Sequence, residues 1–138
     1  MSQIINPSTP GKERTRLSKA IVITIRDFMR LKKPDLNAKN MVAFIILALE
    51  QITIGIDQSV SAWEKRGYWI KADKYRMEWR WTGRLAKRLH QAFTNNNWTE
   101  ITTLLMEIMG RFSHIKVSDR HRMGKPWSGA LKKYQSSQ

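Results

Sequence analysis

Residues 41–56 read MVAFIILALEQITIGI, and this apolar stretch decides the fold of the 138-residue chain. It is shorter than the ~20 residues that a membrane-spanning helix needs, and it includes Glu50 and Gln51, so we expect no membrane span. Apolar side chains instead recur at three- and four-residue steps, which is typical of a buried amphipathic helix. The pattern predicts a central helix over about 38–66, through Met41, Ile45, Ala48, Ile52, Ile56, Val60 and Trp63.

Three further helices are predicted around this one. The first ends before Pro34, and Asp35 or Asn37 caps the central helix. Gly67 is placed to cap the end of the central helix, and a third helix follows from about Tyr68 to Phe93. The first helix presents Leu17, Ile21, Ile25, Phe28 and Met29 on one face, and the fourth, which begins at Asn97 with Glu100 in a capping box, presents Ile101, Leu105, Ile108 and Phe112.

The chain therefore divides into three parts. Residues 1–12 contain two prolines and a glycine and are predicted to be a flexible leader or linker, residues 13–117 form the bundle, and residues 118–138 form a basic C-terminal segment. No stretch alternates with period two, and no hairpin signal appears. The predicted fold class is all-α, a compact bundle of about four main helices.

Charge is the most informative property of the composition. Lys and Arg total 25 against 11 Asp and Glu, a net charge of +14 with a pI near 10.6. Such a surplus repels itself unless a polyanion or an acidic partner neutralises it. The chain has no cysteine, which excludes disulfides, thiolate metal sites and cysteine nucleophiles and agrees with a cytoplasmic location.

The third predicted helix carries an arginine stripe within the segment 73–89, DKYRMEWRWTGRLAKRL. On a continuous helix with Arg76 at zero, Lys87, Arg80, Arg84 and Arg88 lie between about 20° and 120°. Trp79 lies near about −60° on the apolar face. Trp79 is therefore predicted to belong to the core. Trp81, near 140°, flanks the stripe, where it either stacks on bases or packs against a partner helix.

The stripe lacks counter-charges along its own helix, since Asp73 and Glu78 are the only acids between residues 68 and 93. Like charges four residues apart repel, so we expect phosphates to neutralise them and predict backbone contact with little sequence preference. The C-terminal cations either wrap the same strand as a flexible arm or form a solvated end. The predicted nucleic-acid-binding residues are Lys74, Arg76, Arg80, Trp81, Arg84, Lys87, Arg88, Arg120, Arg122 and Lys125.

We assign no catalytic residue. His90, His114 and His121 are widely separated, and no acid stands at the spacing of a zinc-hydrolase motif. The glycines do not form a phosphate-binding loop between a strand and a helix. Asp57, Glu64 and Asp73 each have a lysine or arginine nearby, so ion pairs are expected in place of a metal cluster. The prediction is a non-enzymatic protein without cofactor or metal.

In architecture, the chain resembles the small helical subunits of multi-subunit CRISPR surveillance complexes. The resemblance covers about residues 15–117 and rests on NMVAFIILALEQITIGI as the core helix and RMEWRWTGRLAKR as the basic face. It implies several copies stacked along a crRNA-guided filament, with basic faces lining the path of target or displaced DNA. It also implies other subunits as partners and a role in antiviral defence.

Other interpretations remain open. Accessory proteins of diversity-generating retroelements are similar basic helical bundles that assemble with a reverse transcriptase and RNA. A different class is a basic scaffold whose arginine face meets an acidic protein or anionic lipid. Residues 5–16, INPSTPGKERTR, are equally typical of a linker within a longer chain, as in systems where the small subunit resembles the helical C-terminal part of the large subunit.

Overall fold

The computed structural model describes residues 9–138, and the predicted leader up to residue 8 lies outside them. Over this range the chain is helical and no strand is formed, which confirms the all-α prediction. Six helices follow one another within residues 9–138. They are α1 (Thr9–Met29), α2 (Leu36–Lys65), α3 (Trp69–Trp79), α4 (Trp81–Thr94), α5 (Trp98–Arg111) and α6 (Ala130–Ser136).

Helix α2 is the centre of the bundle, and α1, α3, α4 and α6 all pack on it. Most of its apolar side chains, including Ile45, Leu49 and Ile52, are almost completely buried, whereas Leu36 and Ile54 are exposed. By length and composition alone this helix would also cross a bilayer, but half of its most apolar window is buried inside the bundle. Packing against the neighbouring helices therefore accounts for the apolar side chains in the buried half of this window.

The ends of α2 follow the local signals in the sequence. The Asp35 carboxylate accepts a hydrogen bond from the backbone N–H of Ala38 at 2.9 Å, as predicted for a cap. At the other end Gly67 adopts φ +81°, and the N–H groups of Gly67 and Tyr68 donate to the carbonyls of Glu64 and Trp63. This is the Schellman arrangement, and it confirms Gly67 as the residue that ends the central helix.

The prediction of one continuous third helix is wrong, because this helix is interrupted at Arg80 and forms two helices, α3 and α4. The Thr82 hydroxyl donates to the Trp79 carbonyl at 2.9 Å, and it also lies 2.8 Å from the Thr53 hydroxyl on α2. A side-chain hydrogen bond of this kind competes with the helical backbone ladder. At the next residue, Gly83, a Cβ would lie only 3.3 Å from the Thr53 methyl group, so glycine permits this close approach of α4 to α2.

The end of α4 and the start of α5 follow the prediction more closely. Asn97 caps α5 by accepting a hydrogen bond from the N–H of Glu100 at 3.1 Å. The reciprocal half of the capping box is not formed, because the Glu100 carboxylate binds Arg88 and the Asn97 N–H donates to the Ala92 carbonyl. Asn96, with φ 54°, takes the left-handed position of a second Schellman turn.

The C-terminal segment packs against the bundle instead of forming a flexible arm. Trp127 and Tyr134 are buried, and the Trp127 indole N–H donates to Asp27 on α1 at 3.3 Å. The backbone N–H of Leu131 donates to Asn40 on α2. The division at residue 117 was therefore wrong as a boundary of the packed core, because two aromatic side chains beyond it complete that core. The N-terminal boundary also moves, since α1 begins at Thr9 within the predicted leader.

Candidate functional site

Trp81 does not flank the basic stripe as predicted. It is 6% exposed, and its ring packs edge-on against Phe112 with centroids 5.2 Å apart. In a continuous helix Trp79 and Trp81 would point about 200° apart. Because the helix breaks at Arg80, the two rings instead stack with centroids 6.1 Å apart. Trp81 is thereby a core residue, and it is removed from the candidate nucleic-acid contacts.

The tryptophan pair is held between two guanidinium groups that come from other helices. Arg14 of α1 lies 5.2 Å from the Trp79 ring centroid, and Arg111 of α5 lies 5.6 Å from that of Trp81. Arg14 also donates to the Tyr75 hydroxyl, and its burial lowers the pKa of its guanidinium from the ordinary value. Trp79 is half-buried against the core, in line with its predicted anchoring role. These cation–π contacts make both arginines part of the packing.

Arg76, the first arginine of the stripe, has two acidic partners. Its guanidinium donates to Glu64 on α2 at 2.8 Å and to Asp73 at 2.6 Å. The hydrogen bond to Glu64, followed by that to Asp73, raises the pKa of Arg76 above its ordinary value. The ion pairs expected for Glu64 and Asp73 are confirmed, whereas Asp57 forms none within residues 9–138. The expectation that Arg76 lacks counter-charge is wrong.

Arg84 and Arg88, on α4, face two acids of α5. Arg88 donates to Glu100 at 3.2 Å, and Arg84 lies 3.9 Å from Glu107. All four side chains remain partly exposed. Three of the four stripe arginines are therefore paired with carboxylates. Of the four carboxylates, Asp73 lies on α3, whereas the other three lie on the neighbouring helices α2 and α5 and cannot be seen on the helical wheel of the stripe alone.

The remaining candidate residues are exposed and have no carboxylate at ion-pair distance in the described part of the chain. On α3 and α4 these are Lys74, Arg80 and Lys87. The connection between α5 and α6 carries Arg120, Arg122 and Lys125, and Lys125 lies 5.7 Å from the Trp127 ring centroid. The adjacent Asp119 binds Arg26 of α1 and Arg30, the residue directly after α1, and so anchors this connection.

Arginines and lysines differ in their ion pairs within residues 9–138. Every ion pair there uses an arginine, six of the 25 basic residues in all, and no lysine takes part. Nineteen basic side chains are thereby left without an acidic partner in this range. The planar guanidinium suits bidentate pairing, whereas the ammonium is a strongly hydrated point charge, so the ion pairs use arginine alone, while the lysines and the remaining arginines keep an unpaired charge.

An exposed group at the turn between α2 and α3 was missed by the sequence reasoning. Tyr68, Trp69 and Ile70 are 55%, 60% and 81% exposed, and Lys65, Arg66 and Lys71 flank them. The signal that could have found this group is the run of three large apolar residues directly after a helix-ending glycine. Periodicity does not assign these residues to a buried or an exposed face, because they lie in the turn and at the first residues of α3.

The described residues contain no group of His, Asp and Glu side chains arranged to hold a metal ion. His90 contacts the Tyr134 hydroxyl through Nδ1, a packing role that joins α4 to α6. Burial raises the pKa of Tyr134 above its ordinary value, with Glu50 adding to the shift and a hydrogen bond to Thr94 opposing it.

Comparison with known proteins adds no relative. No family model, no curated protein and no solved structure matches this chain. The resemblance to small CRISPR subunits therefore stays a prediction, and the function has to be argued from charge and geometry.

Proposed function

We propose that this chain is a non-catalytic subunit of a ribonucleoprotein complex that binds the phosphate backbone of DNA or RNA without reading sequence. The observation that carries the proposal is the large set of basic side chains without an acidic partner in residues 9–138. Polyanion binding would relieve their mutual repulsion. The small subunit of a CRISPR effector, which lines a DNA path, remains the architectural analogy for such a role.

The ion pairs change which residues we assign to the interface. The unpaired set is Lys74, Arg80 and Lys87 on α3–α4, with Arg120, Arg122 and Lys125 on the connection before α6. Arg76, Arg84 and Arg88 are secondary, since a phosphate would have to displace a carboxylate. Exposed ion pairs contribute only about 0–1 kcal/mol, so that displacement has a small cost.

The salt dependence of oligonucleotide binding distinguishes nucleic-acid contact from an acidic protein partner, which predicts no such binding. Phosphate contact predicts that log Kd changes with log salt concentration, with a slope near 0.9 per neutralised phosphate on duplex and near 0.7 on single strands. The binding of two oligonucleotides of unrelated sequence should be equally tight. Fluorescence anisotropy over a series of salt concentrations measures both quantities.

A triple variant with a matched control locates the interface. Lys74→Gln/Arg80→Gln/Lys87→Gln should lower the slope on duplex DNA by up to about 2.7, because three phosphate contacts are lost. Lys32→Gln/Lys33→Gln/Lys39→Gln removes the same charge from exposed positions around the α1–α2 connection and should change it less. Equal slopes in the two variants would remove the α3–α4 face from the interface. The absence of salt-dependent binding by the unmodified chain would overturn the proposal.

A further inference from the structure

The turn between α2 and α3 combines large apolar side chains with positive charge, and we call residues 65–71, KRGYWIK, the α2–α3 corner. All seven residues are exposed. Ile70 is the most exposed large apolar side chain of the described residues, at 81%. Met77, two helical turns further along the same face of α3, is also exposed.

The backbone geometry explains why these side chains point outward. Gly67 reverses the chain in its left-handed conformation, and α3 then packs on α2 through Ala72, Tyr75 and Trp79. Only Ala72 of α3 is fully buried. The residues at the corner precede that contact, so no described helix covers them. An apolar group of this size exposed beside charged residues is typical of an interaction surface.

The corner is also locally positive. It contains no acid, and Lys65, Arg66 and Lys71 have no carboxylate at ion-pair distance within residues 9–138. The acids on either side, Glu64 and Asp73, are both occupied by Arg76. The Lys71 ammonium group lies 4.6 Å from the ring centroid of Trp63, and this contact holds the charge of Lys71 at the corner.

We propose that the α2–α3 corner docks on the surface of an anionic lipid bilayer. Trp69 and Ile70 enter the interfacial region, Tyr68 lies at the level of the headgroups, and Lys65 and Arg66 contact lipid phosphates and carboxylates. Trp and Tyr are enriched at this depth because one end of each side chain is apolar and the other polar. Basic residues next to them add attraction to anionic lipid.

The aliphatic side chains favour a bilayer over a nucleic acid. Bases stack on aromatic rings, and that interaction would use Tyr68 and Trp69 but leave Ile70 and Met77 in water. A bilayer removes aliphatic and aromatic groups from water together. The corner shares no residue with the α3–α4 or C-terminal sets assigned to nucleic acid, so this proposal holds or fails separately from the proposed function.

The test is flotation of the full chain with phosphatidylcholine vesicles, with and without phosphatidylserine. We expect binding only when phosphatidylserine is present. Trp69→Ser/Ile70→Ser leaves the charge unchanged and should weaken that binding at least about tenfold, through the lost apolar contact. Leu36→Ser/Met106→Ser removes two exposed apolar side chains elsewhere and should leave it unchanged.

A charge variant tests the second half of the proposal. Lys65→Gln/Arg66→Gln should weaken binding to phosphatidylserine vesicles roughly thirtyfold. Lys32→Gln/Lys33→Gln removes the same charge from another exposed site and should have a smaller effect. Circular dichroism confirms that each variant folds.

Three results would overturn the proposal. The first is no binding to anionic vesicles. The second is undiminished binding in Trp69→Ser/Ile70→Ser. The third is loss of oligonucleotide binding in that variant while vesicle binding persists, which would assign the corner to nucleic acid. The salt series with oligonucleotides is measured in parallel, so failure of one proposal is distinguished from failure of the other.

Discussion

The α4–α5 face comprises Trp81, Arg84 and Arg88 of α4 together with Glu100 and Glu107 of α5. Its α4 side resembles the α2–α3 corner in composition but differs from it in exposure and in charge pairing. In each, tryptophan stands beside basic side chains in the sequence. On α4 the ring of Trp81 is buried and the arginines meet Glu100 and Glu107 of α5. At the corner the ring of Trp69 is exposed and its basic neighbours have no acid at ion-pair distance among the described residues. The difference shows that counter-charges have to be counted over neighbouring helices as well as along one.

The largest expected effect separates the two tryptophans. Trp81→Ala should lower the free energy of unfolding by about 3–5 kcal/mol, because it removes a buried ring packed on Phe112 and Trp79. Trp69→Ala should change it by no more than about 0.5 kcal/mol, because the side chain is exposed. Urea denaturation followed by circular dichroism measures both. Similar values for the two variants would contradict the assignment of one ring to the core and the other to the surface.

A smaller effect tests the turn that shapes the corner. Gly67→Ala should lower the free energy of unfolding by about 1–2 kcal/mol, because alanine in the left-handed conformation is strained. Gly110→Ala, in α5 where a Cβ would meet open space, should raise it by up to about 1 kcal/mol. Thermal and urea denaturation give the two signs. A stabilising Gly67→Ala would mean that the chain does not turn in the conformation described.

The smallest effect probes the ion pairs of the α4–α5 face. Glu100→Gln/Glu107→Gln should lower stability by at most about 1 kcal/mol for each exposed pair. It also frees Arg84 and Arg88 for phosphates, so nucleic-acid affinity should rise more than in Asp57→Asn/Glu78→Gln, which alters the charge equally at acids without an ion pair in the described residues. Oligonucleotide titration of both variants makes the comparison. Equal gains would show that the paired arginines do not contact the nucleic acid.

Local signals predicted most of the secondary structure. The apolar repeat of α2, the Asp35 cap, Gly67 and the Asn97 cap each depend on residues within one or two turns, and the structure contains all of them. The break at Arg80 was not predictable in this way. It depends on Thr82 meeting Thr53, which lies 29 residues earlier on α2. Once the break was missed, the helical wheel placed Trp81 on the wrong face.

The candidate site was predicted less well than the fold. Exposed positions for Lys74, Arg80, Lys87 and the C-terminal cations follow from periodicity and composition, and the structure agrees. The pairing of Arg76, Arg84 and Arg88 was missed, because Glu64, Glu100 and Glu107 lie on other helices and are far from their partners in the sequence. Whether the exposed cations bind a polyanion stays a prediction.

The amino-acid sequence by itself determined an all-α chain with one long central helix and a large positive charge, because helical periodicity and net charge are properties of the residues alone. Only the tertiary structure decided which rings and charges remain exposed. That outcome depends on contacts between residues far apart in the chain, such as Trp127 with Asp27 and Arg88 with Glu100, whose distances are set by how the helices pack.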